Sequence, residues 1–187
     1  MESATELDAN DPLAGFRDRF VHNSSEPELI YLDGNSLGRQ PRAVADVLTR
    51  IVDHQWSDRL IRGWNEGWLD IAEGVGDLIG ELLGANPGEV ILAENTSVCL
   101  YKVAVAALRE QRSRQKVVTD DENFPSDIQI LRSACRSAGS GQTVQIVHCS
   151  EALDPTSVLV DAIDESTAVV SLSHVTYRSG WRWDLEA

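Results

Sequence analysis

Positive charge is scarce in this 187-residue chain. It has 16 lysine and arginine residues against 30 aspartate and glutamate residues, which gives a formal net charge of -14 and a pI near 4.5. A surface of that sign repels nucleic-acid phosphates and anionic lipid headgroups at long range. The charge balance therefore argues against nucleic acid or a membrane as a partner.

Cysteines are few, and long apolar runs are lacking. Cys99, Cys135 and Cys149 do not have the spacing of a disulfide framework or a zinc site, so we expect no metal and a reducing, cytoplasmic setting. The acidic amino terminus does not resemble a secretion signal, and no apolar run is long enough to span a bilayer. With 42% hydrophobic residues, the chain can still form a globular core.

The first half of the chain shows helical spacing of apolar residues. One such pattern predicts a helix from about Pro41 toward Trp56. A second pattern from Trp68 to Leu83 forms a single stripe that we expect to be buried, and Gly84 ends it. The stretch between them contains Trp64, flanked by two glycines.

From Glu89 onward, short apolar runs alternate with helical patterns. Strands are predicted at 89–95, 117–120, 143–149 and 167–173, with helices between them and after the third. This order predicts an α/β fold whose mainly parallel sheet is covered by helices on both faces. We expect a helical segment over residues 1–88 and an α/β segment over residues 89–187.

Polar residues follow several of these predicted strands, where sites in parallel sheets are found. Thr96 and Ser97 follow the first strand at a helix start, which suits either a phosphate group or an ordinary helix cap. Phe124 follows the second strand and could stack on a ring or pack in the core, while Asp127 could accept from a ligand or cap a helix. Ser173 follows the fourth strand.

The turn YLDGNSLGRQP, residues 31–41, is rich in residues that favour turns or can hydrogen-bond a ligand. Gly34 and Gly38 tolerate unusual backbone angles, and Asn35 and Ser36 carry polar side chains. An ordinary turn and a ligand contact both explain this composition.

Five motifs, in order, resemble the kynureninase family. They are YLDGNSLGRQP, the pair Gly63 and Trp64, ENTSV at 94–98, NFPSD at 123–127 and SHVTYRSG at 173–180. The resemblance runs from about Leu29 to Trp183. It implies the aspartate aminotransferase-like fold of pyridoxal 5'-phosphate (PLP) enzymes and hydrolysis of L-kynurenine to anthranilate and L-alanine, in tryptophan catabolism leading to NAD biosynthesis. It also implies a homodimer.

The resemblance also implies roles for matched residues. Thr96 and Ser97 would hold the PLP phosphate, Phe124 would stack on its ring, and Asp127 and Ser173 would make polar contacts to it. Pro125 and Ser126 belong to the same cofactor segment. Asn35, Ser36 and Trp64 would contact the substrate.

The resemblance assigns no catalytic residue within the chain. The lysine that forms the Schiff base with PLP lies beyond SHVTYRSG in the family, and Lys102 and Lys116, the two lysines present, are poorly placed for it. We therefore expect an inactive amino-terminal part of a kynureninase. Two alternative functions stay open: a related PLP enzyme such as a cysteine desulfurase or class V aminotransferase, and a truncated paralogue without catalytic activity. Hydrolysis of 3-hydroxykynurenine as a further substrate also stays open.

Overall fold

The chain forms two compact units. The computed structural model describes residues 3–22 and 24–186, and the units are Met1–Ile91 and Leu92–Ala187. Within the described residues, none of the helices combines the length and apolar character needed to cross a membrane.

The first unit contains helical elements joined by turns. The α-helices are α1 (Ala4–Ala9), α2 (Ala43–Arg50) and α3 (Ile71–Leu83). A π-helical segment continues α2, and there are three short 3-10 helices; these four elements are Ile51–Arg59, Ala14–Arg19, Leu60–Trp64 and Trp68–Asp70. Both helices predicted in this half of the chain are thus present. Gly84 ends α3 in the left-handed conformation, with φ of 73°.

The expected burial of the α3 stripe is wrong. Leu78 is 63% exposed and Leu82 is 87% exposed. The buried residues of α3 are instead Gly76 and Gly80, which lie against Val90. Helical spacing shows which residues share a face, whereas burial requires a second element to cover that face, and the described residues of this unit supply none over the leucines.

The strand predicted at 89–95 is also wrong. This segment pairs with no other strand in the described part of the chain, and its apolar residues Ile91 and Leu92 are at least half exposed. Glu94 has a positive φ of 50°, which interrupts an extended backbone. An apolar branched run forms a strand only where a neighbouring strand accepts its backbone hydrogen bonds.

The second unit alternates helices and strands as predicted. Its sheet has the order β2-β1-β3, and both strand pairs are parallel. The predicted fold class is therefore confirmed, although β3 ends earlier than expected. The elements are α4 (Thr96–Glu110), β1 (Lys116–Asp120), α5 (Pro125–Ala138), β2 (Thr143–Val147), α6 (Pro155–Asp161) and β3 (Thr167–Val170).

Helices cover both faces of this sheet. On one face Val117 packs with Leu108 of α4 and Leu131 of α5, and all three are fully buried. On the other face Val118 packs with Leu159 of α6 and with Trp183. Successive residues of a strand point to opposite faces, so the central strand β1 contributes to both cores.

The amino end of β1 is fixed by a lysine. Lys116 Nζ donates to the carbonyl oxygen of Ala162 at 2.7 Å and to Asp164 Oδ2 at 2.8 Å. Hydrogen bonds from Lys116 and then from Ser166 lower the pKa of Asp164 from 3.8 to about 2. The pair joins β1 to the turn before β3.

We predict that Gly76→Ala destabilises the chain, whereas Gly74→Ala does not. A Cβ at Gly76 would lie 2.8 Å from the carbonyl carbon of Val90, so the backbone must shift, while a Cβ at Gly74 meets nothing within 4 Å. Urea denaturation should show a loss of about 1–3 kcal/mol for Gly76→Ala. For Gly74→Ala it should show a gain of up to about 1 kcal/mol. Equal effects of the two substitutions would contradict the close approach of α3 to Val90.

We also predict a pH-dependent contribution from Asp164. Its folded pKa lies below its unfolded value, so the contribution is present above the unfolded pKa and is lost as pH falls through about 2. Asp164→Asn should therefore lower the free energy of unfolding at neutral pH, and this deficit should shrink between about pH 5 and pH 2. Lys116→Met, which removes the largest cause of the shift, should reproduce most of that pattern in urea denaturation. A deficit for Asp164→Asn that stays constant across the range would rule the contribution out.

Candidate active site

Most of the predicted cofactor residues line one cavity in the second unit. The cavity has a volume of about 620 Å³, and small-molecule sites typically measure about 300–1,000 Å³. Six of the seven predicted residues are among its lining, and Pro125 is the exception. The lining consists of Asn95, Thr96, Ser97, Val98, Phe124, Ser126, Asp127 and Ser173.

The start of α4 forms one wall of the cavity. Asn95 caps this helix, because its Oδ1 accepts from the backbone N–H of Val98 at 3.0 Å. The backbone N–H groups and hydroxyls of Thr96 and Ser97 make no hydrogen bond among the contacts described for residues 3–22 and 24–186. Asn95 thus caps the helix, and the donors of Thr96 and Ser97 at the positive end of α4 suit an anionic group.

The start of α5 also lines the cavity, through Phe124, Ser126 and Asp127. Phe124 is 50% exposed, so the core-packing alternative for its ring is wrong. Its ring meets that of Tyr177 edge to face, with centroids 5.2 Å apart. This contact leaves an aromatic surface available to a flat ligand.

The first turn of α5 consists of Pro125, Ser126 and Asp127. Pro125 occupies the first turn of the helix, where its fixed φ favours initiation. Ser126 Oγ donates to Asp127 Oδ1 at 3.1 Å, and Asp127 N–H donates to the Phe124 carbonyl at 2.9 Å. The Asp127 carboxylate therefore lies at the amino end of α5, where the helix dipole stabilises negative charge.

Asn123 is a buried residue of this region to which the motifs assigned no role. It is 2% exposed, and its Nδ2 donates to Thr119 Oγ1 at 2.9 Å and to the Ser171 carbonyl at 3.2 Å. Its Oδ1 accepts from the Phe124 N–H and from Ser173 Oγ, both at 2.8 Å. Its position within NFPSD was the only signal in the sequence.

Residues after β2 face a different cavity, of about 270 Å³. Cys149 lies there, and burial, together with the charges of Asp120, Asp121 and Glu122, raises the pKa of its thiol to about 11. A thiol that stays protonated is a poor nucleophile. None of the residues between β2 and α6 lines the larger cavity.

Three carboxylates, those of Asp120, Asp121 and Glu122, cluster at the carboxyl end of β1. Burial raises the pKa of Asp120, whose Oδ1 accepts from the Glu122 N–H at 2.8 Å. Burial would also raise the pKa of Asp121, but hydrogen bonds from Ser150 and the Cys149 N–H outweigh it and lower that pKa. None of the three carboxylates lines the larger cavity.

Neither lysine lines the larger cavity. Lys102 Nζ pairs with Glu94 at 3.1 Å on an exposed face of α4. Lys116 lies at the amino end of β1 and is paired with Asp164. Both side chains have ionic partners away from the cavity.

The predicted substrate residues lie in the first unit. In the turn, Ser36 Oγ donates to Asp33 Oδ1 at 2.7 Å, and the Tyr31 hydroxyl lies 2.7 Å from the Leu37 carbonyl. Trp64 is 47% exposed and meets Trp68 edge to face at 5.9 Å. The cavity is lined by second-unit residues only, so substrate roles for Asn35, Ser36 and Trp64 stay predictions.

Sequence comparison relates the chain to known enzymes. It is 40% identical over 187 residues to the kynureninase of Pseudomonas fluorescens, an alignment that covers 97% of this chain and 42% of that protein. It is 36% identical to the kynureninase of Burkholderia pseudomallei, covering 98% of this chain and 43% of that protein. No protein-family model matches the chain.

Structural comparison supports the fold. A solved structure of a C-DES mutant with glycine covalently linked to its PLP cofactor matches with a TM-score of 0.68 at 16% identity, over 89% of this chain and 42% of that one. The likeness confirms that the α/β arrangement occurs in a PLP enzyme. The chain is thus similar over nearly its whole length to kynureninases, as its motifs predicted, and it spans less than half the length of the relatives it matches.

Proposed function

We propose that the chain forms part of a PLP-dependent enzyme that hydrolyses L-kynurenine to anthranilate and L-alanine. The cavity at the starts of α4 and α5 is the observation that carries the proposal, because it combines free N–H donors, two hydroxyls and an open aromatic ring. The choice of L-kynurenine as the substrate rests on the 36–40% identity to kynureninases.

The residues of the cavity fit PLP. Its phosphate would lie at the amino end of α4, where Thr96 and Ser97 offer backbone and hydroxyl donors. Its ring would lie against the exposed face of Phe124, within reach of polar groups on Asp127 and Ser173. When bound, PLP supplies an electron sink for the substrate carbons next to the amino group.

The chain's own part in the reaction is to bind and orient. Thr96 and Ser97 would hold the phosphate end of the cofactor and Phe124 would lie against its ring, and these two contacts would orient it. Asn35, Ser36 and Trp64 would hold the substrate, with the indole of Trp64 against its aromatic ring. Neither lysine lines the cavity, so the described lining residues include no amino group that could hold the aldehyde end of PLP.

A cytoplasmic setting and a homodimer belong to the same proposal. All three cysteines are free, and two of them, Cys135 and Cys149, are buried, which suits a reducing compartment. Exposed apolar residues such as Leu82 and Leu83 of α3 are compatible with further protein surface covering them.

The binding site is tested with 4'-deoxypyridoxine 5'-phosphate, a PLP analogue without the aldehyde, so that exposed lysines cannot react with it. We expect Thr96→Ala/Ser97→Ala to weaken both this compound and inorganic phosphate about tenfold or more, because charge-assisted hydrogen bonds are lost. Phe124→Ala should weaken the analogue but not phosphate. Calorimetric titration measures both affinities.

Two matched controls accompany these variants. Phe16→Ala removes an aromatic ring of similar exposure in the first unit, and Ser113→Ala removes an exposed hydroxyl after α4; neither residue lines the cavity. Both controls should bind the analogue like the unmodified chain. Failure of the unmodified chain to bind either compound would refute the proposed cofactor site.

Turnover is tested with kynurenine and PLP together. The 187-residue chain alone should release no anthranilate at enzyme-like rates, because Lys102 and Lys116 are both engaged away from the cavity. Anthranilate fluorescence measures the reaction, and L-cysteine serves as the alternative substrate. Rapid anthranilate release would show that the lysine assignment is wrong, and turnover of cysteine instead would show that the substrate assignment is wrong.

A further inference from the structure

Asn123 is the buried polar residue that joins the two strand ends beside the candidate site. β1 and β3 are neighbours in the sheet, and Asn123 lies just beyond the end of β1. It contacts Thr119 within β1 and both Ser171 and Ser173 after β3. A side chain placed there links the segments that carry Phe124 and Ser173.

The orientation of the Asn123 amide is fixed by its neighbours. The Phe124 N–H can only donate, so it must face Oδ1, and the Ser171 carbonyl can only accept, so it must face Nδ2. Turning the amide over would place donor against donor and acceptor against acceptor. All four hydrogen bonds therefore require the same orientation of the amide, and both its oxygen and its nitrogen have partners.

This orientation sets the hydrogen-bonding character of Ser173. Because Asn123 Oδ1 is an acceptor, the Ser173 hydroxyl must donate its one proton to it, at 2.8 Å. What remains on Ser173 Oγ is lone pairs. Ser173 lines the cavity, and it therefore offers a bound ligand an acceptor and not a donor.

The same amide oxygen also holds the start of α5. Phe124 has an extended backbone, with φ of -60° and ψ of 134°, before the helix begins at Pro125. The hydrogen bond from its N–H to Asn123 Oδ1 fixes the peptide that leads into the phenylalanine. Loss of this bond frees the peptide before Phe124 and thereby loosens the position of its side chain.

We propose that Asn123 is a positioning residue for the ring of the bound cofactor, which it serves by fixing Phe124 and by making Ser173 an acceptor. This inference rests on the proposed function, since it concerns the same cavity. It goes further because it separates the ring-binding half of the site from the phosphate-binding half. Asn123 contributes to the first half and not to the second, since no contact joins it to Thr96 or Ser97 among the described residues.

The test compares Asn123→Ala with Thr119→Val. The alanine variant removes the bonds on both sides of the amide. Thr119→Val removes the two bonds of the Thr119 hydroxyl, from Asn123 Nδ2 and to the Ser171 carbonyl, and keeps the bonds of Asn123 to Phe124 and Ser173. Both substitutions should lower the melting temperature. Only Asn123→Ala should weaken 4'-deoxypyridoxine 5'-phosphate, by about tenfold, with phosphate binding changed less than about twofold.

Induced circular dichroism of the bound analogue provides a second readout. A ring held in one orientation in a chiral site gives a signal in its own absorption band. This signal per bound ligand should fall for Asn123→Ala and stay unchanged for Thr119→Val. If Asn123 contributed only to stability, each variant would lose analogue binding and dichroic signal in proportion to the fall in its melting temperature.

Asn123→Asp covers the case in which the alanine variant does not fold. The aspartate keeps an oxygen that accepts from Phe124 and Ser173 but cannot donate to the Ser171 carbonyl. It should therefore retain analogue binding and the dichroic signal while losing stability. Loss of analogue and phosphate binding together in this folded variant would overturn the proposal.

The outcomes distinguish failure of the proposed cofactor site from failure of the proposed role of Asn123. If the unmodified chain binds neither phosphate nor the analogue, the proposed function fails, and the role of Asn123 fails with it. If the unmodified chain binds both and folded Asn123→Ala binds both equally well, the cofactor site stands and the positioning role is wrong. Selective loss of the analogue in Asn123→Ala supports both.

Discussion

The parallel pairing of β1 with β2 and β3 is the constraint on which the second unit depends. Because all three strands run in the same direction, the segments that follow them emerge at one edge of the sheet. Parallel strands also require crossover helices, and α5 and α6 supply them on opposite faces. One arrangement thus produces both cores and the edge at which the polar residues collect.

At that edge, the amino ends of α4 and α5 decide what the cavity can bind. The chain as a whole carries a net charge of -14, which disfavours anions at long range. At the start of α4, the backbone N–H groups and hydroxyls of Thr96 and Ser97, which have no partner among the described residues, favour an anion locally. In the proposed site, short-range donors would hold a phosphate group although the overall field opposes it.

Buried hydrogen bonds give the edge its rigidity. Thr119 Oγ1 donates to the Ser171 carbonyl at 2.8 Å and accepts from Asn123, so the strand itself takes part in the same network. On the far side of the sheet edge, Asp121 performs a similar task for the segment after β2, through bonds from Cys149 and Ser150. At Asn123, where the amide is buried and both of its ends are paired, any other arrangement would leave a buried polar group unsatisfied.

The sequence by itself predicted the alternation of helices and strands after α4 and the helix stop at Gly84, because these follow from local spacing. It also predicted six of the residues that line the larger cavity, from their positions after strands together with the resemblance to a family. Two features needed tertiary structure. The run 89–95 has the composition of a strand but lacks a pairing partner among the described residues, and the stripe of α3 has helical spacing but lacks a covering surface. Tertiary structure also decided the role of Asn123, since its four partners come from both sides of the β1–β3 pair and only folding brings them within hydrogen-bonding distance.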